Sequence, residues 1–110
     1  MPTTKPLNAS GTVTLNGSGA GVVDILVPTL QTWDITRIGV LVSSNTREPT
    51  AKVYVDSEGP GNFLAGTYTG SNDSSDENQR LMPGQHLLCR WTGGDAGAQA
   101  TMSVFGTVTS

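Results

Sequence analysis

The stretch Thr32-Trp33-Asp34-Ile35-Thr36-Arg37-Ile38-Gly39-Val40-Leu41-Val42-Ser43-Ser44 is the longest β-patterned run in the chain and decides the fold. Trp33 and Ile35 share one parity, and Ile38, Val40 and Val42 share the other. A slip of one residue turns every side chain of a strand to the opposite face. Either a β-bulge near Arg37 restores the phase, or the strand is buried on both faces.

Shorter runs of the same kind lie on both sides. Gly11–Leu15 reads as a strand, followed by Asn16-Gly17, a strong two-residue hairpin signal. Ala20–Pro28 places Val23, Ile25 and Val27 on one face and Val22 and Leu26 on the other. Ala51–Glu58 alternates, with Val53 and Val55 inward. Gly59-Pro60-Gly61 is a break, and Phe63-Leu64 and Thr67-Tyr68-Thr69 are short strands around Gly66. Gly70–Asn78 reads as a polar loop. His86–Thr92 puts Leu87, Cys89 and Trp91 on one face and His86, Leu88 and Arg90 on the other. Ala98–Val108 is the last strand, with Phe105 outward from Ala100, Met102 and Val104. That is about eight strands with turn signals between them, which predicts an all-β β-sandwich, an eight-stranded jelly roll. Residues 1–10 show no periodicity and are expected as an extended N-terminal arm, with the sandwich domain over 11–110.

Composition agrees. The chain has 110 residues, enough for one domain. Charged residues are 14% and aromatics 5%, while Thr and Ser, with 14 Gly, take the place of the missing charge. Helical bundles need Ala, Leu, Glu and Lys in bulk, and disordered chains carry high charge. A net charge of −3 gives no basic field for nucleic acid. No apolar run approaches the ~18 residues of a membrane-spanning helix, and no apolar segment follows Met1–Pro6 as a signal peptide requires. One cysteine excludes an intrachain disulfide.

The chemistry-bearing residues are few. The single histidine, His86, has no serine or acid placed by sequence to form a catalytic group. Cys89, between Leu87 and Trp91 on an apolar face, reads as a buried, inert thiol. The runs Gly17-Ser18-Gly19-Ala20-Gly21 and Gly93-Gly94-Asp95-Ala96-Gly97 lack a Walker lysine and open no helix, so they read as turns. Asp73, Asp76 and Glu77 form the one acidic cluster. Their spacing is not that of an EF-hand, leaving a weak calcium site or a solvated turn as the alternatives. Trp33 and Trp91 read as core or interface residues, with sugar-stacking platforms as the other use. No cofactor and no enzymatic activity are expected.

Several segments resemble a family of small all-β virion proteins of tailed phages of actinobacteria. They are Trp33-Asp34-Ile35-Thr36-Arg37-Ile38-Gly39-Val40, Val53-Tyr54, Gly66-Thr67-Tyr68-Thr69-Gly70 with Asp73 and Ser75-Asp76, Pro83-Gly84 with Leu87-Leu88, and Trp91-Thr92-Gly93-Gly94-Asp95-Ala96-Gly97-Ala98. The match runs over roughly residues 28–108 and is carried by turn glycines and strand aromatics. The resemblance implies a particle component, made in the host cytoplasm and carried on the virion surface. The expected role is capsid decoration, a minor capsid protein that clamps the assembled shell. The alternative is a tail or fibre module adhering to host-surface glycans through the Gly70–Asn78 loop, Tyr54, Tyr68 and a Trp. For decoration, Pro2, Thr3, Thr4, Lys5, Pro6 and Leu7 would anchor the arm on the major capsid protein. Apolar residues on both faces of several strands predict a homo-oligomer, taken as a trimer by analogy of fold, with Val22, Leu88 and Phe105 near its contacts.

Overall fold

The change of parity at Arg37 is built as a β-bulge. In the computed structural model, strand β3 (Thr32–Val42) pairs with β6 (Asn72–Leu81) and β8 (Gln99–Thr109), and both registers shift between Ile35 and Arg37. The extra residue lets Trp33 and Ile35 before it, and Ile38, Val40 and Val42 after it, all point inward and be buried. Gly106 of β8 lies opposite Ile35, and a Cβ there would run into the Asp34 carbonyl. The bulge therefore requires a residue without a side chain on the neighbouring strand.

The structure describes residues 3–43, 46–59, 62–64, 68–70 and 72–110. The sequence readings at Pro2, Pro60, Gly61, Gly66 and Thr67 lie outside these. The other strands are β1 (Thr4–Thr14), β2 (Gly21–Leu26), β4 (Thr50–Val55), β5 (Tyr68–Thr69) and β7 (His86–Thr92). They form two antiparallel four-stranded sheets, the first in the order β1-β8-β3-β6 and the second in the order β2-β7-β4-β5. The chain changes sheet at every connection except β4 to β5. The all-β sandwich expected from the sequence is the fold.

The core lies between the sheets. From the first come Leu7, Ile35, Ile38, Val40, Met102 and Val104; from the second, Val23, Ile25, Val53, Leu87, Cys89 and Trp91. Burying each large aliphatic side chain contributes about 1.5–3 kcal/mol. Both tryptophans are core residues: Trp33 donates Nε1–H to Gln31 Oε1 at 3.0 Å, whereas Trp91 Nε1 is buried with no partner among the described residues.

Three sequence readings are corrected. Residues 4–10 are not an arm outside the domain: they begin β1, which pairs with β8 without interruption from Thr4–Thr109 to Thr14–Gln99. Leu7 and Ala9 face the core, so this segment buries apolar surface although its small residues gave little periodicity. Asn16-Gly17 does not close a hairpin, because β1 and β2 belong to different sheets. Asn16 Oδ1 accepts from the Ser18 and Ala20 amides instead, shaping a crossover. Gly19 in this turn (φ +73) presses on Gly94 with no room for a Cβ, and the Gly94 amide donates to its carbonyl at 3.0 Å. The two glycine runs are thus one packed pair of turns. Finally, residues 72–78 are not a loop but most of β6, the far edge of the first sheet.

Candidate functional site

The outward face of the first sheet is a plateau of small polar side chains. Its cross-strand rows read Thr12–Thr101–Leu41–Asn72, Ser10–Ser103–Gly39–Ser74, Asn8–Phe105–Arg37–Asp76 and Pro6–Thr107–Asp34–Arg80. The four charges on it neutralise one another in pairs. Arg37 Nη1 lies 3.4 Å from Asp76 Oδ1, and Arg80 Nε lies 2.8 Å from Asp34 Oδ1. Arg37 Nη2 also donates to Ser74 Oγ at 2.8 Å. Two large apolar side chains rise from this neutral field, Leu41 (57% exposed) and Phe105 (37%).

Between them the surface dips. Gly39 has no side chain, and Arg37, Leu41, Asn72, Ser74, Ser103 and Phe105 wall a shallow depression of about 340 Å³. A Cβ on Gly39 would meet nothing closer than 3.9 Å, so packing does not require this glycine. The depression offers one aromatic ring, hydroxyls, an amide and a paired guanidinium, which suits a protruding side chain or a ring of mixed polarity.

The outward face of the second sheet is more heavily charged. Rows Val22–Arg90–Lys52 and Asp24–Leu88–Tyr54 cross it. Arg90 Nε binds Glu58 Oε1 at 2.7 Å, and this pair holds the Glu58 carboxyl below its usual range. His86 Nδ1 lies 2.8 Å from Asp24 Oδ1. The His86 amide, with Gln85, binds the Asp56 carboxylate and likewise lowers its pKa. Tyr54 and Phe63 meet with ring centroids 5.5 Å apart, and with Lys52 and Glu58 they line a hollow of about 230 Å³.

The residues expected at sites separate as follows. Asp73, Asp76 and Glu77 do not converge. Asp73 and Glu77 share one face of β6 and Asp76 takes the other. Asp73 accepts from the Thr69 amide, Asp76 pairs with Arg37, and Glu77 accepts from Ser75. The three acids do not form one ligand set, and no group of three potential metal ligands exists among the described residues. Of the anchoring set, Leu7 is buried, and Thr3 exchanges both backbone hydrogen bonds with Ser110 (2.8 and 3.0 Å). Thr4, Lys5 and Pro6 are exposed but held in β1.

Val22 and Leu88 lie on the second sheet and Phe105 on the first, on opposite faces of the sandwich. Leu88 is only 9% exposed, leaving little of it for a contact. Val22 and Leu88 therefore share no single surface patch with Phe105. Tyr68, expected as exposed in the glycan reading, is buried, and burial pushes its hydroxyl up to about 12. Cys89 is buried as expected, which raises its thiol pKa well above the ordinary value. Sequence reasoning missed the plateau, whose signal was the alternation of Thr and Ser along β1 and β8.

No protein-family model matches the chain, and no curated protein matches it. Among solved structures, the Yersinia pseudotuberculosis-derived mitogen is similar with a TM-score of 0.56 and 10% identity, over 91% of this chain and 86% of that one. At that identity the likeness is one of fold. Aeromonas hydrophila PliG, a periplasmic inhibitor of g-type lysozyme, matches with a TM-score of 0.40 and 14% identity, over 92% and 86% of the two chains. A family two carbohydrate esterase from Clostridium thermocellum matches with 0.35 and 14%, over 88% of this chain and 30% of that one.

Proposed function

We propose that the chain is a non-enzymatic structural component of a phage particle, a decoration protein that binds the assembled shell. The observation that carries this reading is the plateau of the first sheet, whose charges cancel in pairs around exposed Phe105 and Leu41. Protein interfaces are depleted of net charge at their centre and enriched in aromatic anchors. The strand orders β1-β8-β3-β6 and β2-β7-β4-β5 also support it. We read them as a jelly roll, an architecture found in viral capsid and lectin domains, which is an analogy of fold. In this reading β1 reaches the shell as part of the plateau and not as a free arm. Self-association of the chain belongs to the same reading.

The non-enzymatic part rests on how the reactive groups are engaged. The one histidine spends Nδ1 on Asp24 in an exposed pair, and the one thiol is buried with its ionisation suppressed. A second reading, adhesion to glycans, is favoured by one observation, the Tyr54–Phe63 hollow beside Lys52 and Glu58 on the opposite face.

Co-sedimentation with purified shells tests the proposal. The protein should pellet with shells, and Phe105→Asp and Leu41→Asp should each abolish this while the variants keep a folded β spectrum. Retained binding in both folded variants overturns the plateau as the docking face. Binding to a glycan array that is lost in Tyr54→Ala would move the reading to adhesion.

A further inference from the structure

The four edges of the two sheets are not defended alike. An open strand edge presents unpaired N–H and C=O groups, and proteins normally blunt it with charge, proline, bulges or brevity. β5 is two residues long. β6 carries Asp73, Asp76, Glu77 and Arg80, and β2 carries Asp24 within six residues. β1 is eleven residues long and pairs with β8 with no bulge. Beyond Lys5 and Pro6, nothing among the described residues blunts it, and no charged residue occurs between Leu7 and Val23.

The hydrogen-bond pattern fixes which groups are free. Thr3 and Ser110 exchange both backbone bonds, and the Leu15 amide donates to the Ala98 carbonyl. In an antiparallel ladder such pairs alternate, so odd-numbered residues of β1 bond β8 and even-numbered ones point away. Thr4, Asn8, Ser10, Thr12 and Thr14 therefore aim their amides and carbonyls off the open edge. Pro6 shares this parity, which explains why a residue lacking N–H is accommodated there.

We propose that the β1 edge is the contact through which two copies of this chain pair, antiparallel about a twofold axis at Gly11, making one continuous eight-stranded sheet. Only registers that oppose even residues to even residues satisfy the free groups. With Gly11 on the axis, Ser10 faces Thr12 of the second copy and Asn8 faces Thr14. About eight inter-strand hydrogen bonds form, and Pro6 lies beyond the paired stretch. Every cross-strand neighbour is then small, polar and neutral, or apolar: Asn8 with Thr14, Ser10 with Thr12, Ala9 with Val13. No like charges meet, which suits a self-pairing edge better than recognition of a charged partner. The plateau runs on across both copies, and this pairing does not depend on where the protein resides.

Light scattering on the full chain tests it. The expected mass is twice 11.4 kDa, about 23 kDa, at tens of micromolar and above. Ser10→Pro removes one outward amide and no bond to β8, so it should give a folded monomer. Thr12→Lys, which sets two cations beside the axis, should do the same. Thr107→Lys, on the same face but on a central strand, should stay dimeric. A wild type that is monomeric at about 1 mM, a trimer, or a dimer that persists in folded Ser10→Pro overturns the proposal. Should Ser10→Pro not fold, hydrogen exchange of the wild type decides. Amides of Asn8, Ser10, Thr12 and Thr14 should gain protection with concentration. Fast exchange there at all concentrations, with Ala9 and Val13 protected, overturns it.

Discussion

Tyr68 Oη lies 2.6 Å from Ser75 Oγ, and Ser75 in turn lies 2.9 Å from Glu77 Oε1. Tyr68 ends the second sheet and Ser75 sits on the edge of the first, so this chain of hydroxyls and a carboxylate laces the two sheets at one rim. Polar inward positions on β6 are thereby satisfied without apolar packing.

That lacing predicts an alkaline transition. Tyr68 is held neutral up to about 12, above the ordinary value near 10, chiefly by burial. A raised pKa in the folded state contributes stability that is complete below pH 10 and is lost as pH rises toward 12. Denaturant titrations at pH 9 and pH 11.5 should show a fall that Tyr68→Phe reduces in part, the buried Cys89 thiol, also held protonated, contributing the rest. An equal fall in Tyr68→Phe would show that other groups control the alkaline limit.

Two glycines on the first sheet should respond oppositely to alanine. Gly106→Ala drives a methyl into the Asp34 carbonyl at the bulge and should cost at least 1–3 kcal/mol. Gly39→Ala places its methyl in ordinary contact with Asp73 O and Ser74 Cβ at 3.9 Å and should be neutral, or stabilising by about 0.5–1 kcal/mol. Thermal melts of the two variants read the contrast directly, and equal Tm values would contradict the bulge geometry.

Trp91 fills the core with an unanswered donor. An unpaired buried N–H costs about 1–3 kcal/mol, so Trp91→Phe removes that cost while losing part of the ring. The net loss should be under about 2 kcal/mol, against about 3–5 kcal/mol for Trp91→Ala. A Phe variant as damaged as the Ala variant would mean that the indole nitrogen is satisfied in solution.

Calcium should leave the protein unchanged. The three acids of β6 point to different partners on two faces, so EDTA should not lower Tm and added calcium should give no binding heat. A calcium-restored Tm would require the strand to rearrange.

How far the sequence could be read depended on where apolar residues fell. Strand β3 and its bulge were legible because Ile35 and Ile38 break the parity in plain view. Strand β6 was not, because its inward positions are Asp73, Ser75, Glu77 and Gln79, whose partners include Tyr68 on another sheet. The start of β1 was hidden by Ala9, Gly11 and Pro6, too small or too irregular to show alternation. The Asn16-Gly17 signal described a real reversal, but a local turn carries no information about which sheet the next strand joins. The plateau site needed both outer strands in register, which no single segment displays.

The pairing of β1 with β8 also sets an order of events in time. Thr4 and Thr109 face each other across the sheet although 105 positions separate them. During synthesis β1 and β3 emerge long before β8, the strand that lies between them. Until it arrives, the plateau does not exist and the long neutral edge of β1 has no neighbour on either side. The first sheet therefore cannot close until β8 has been made, and β1 carries both of its edges open until then.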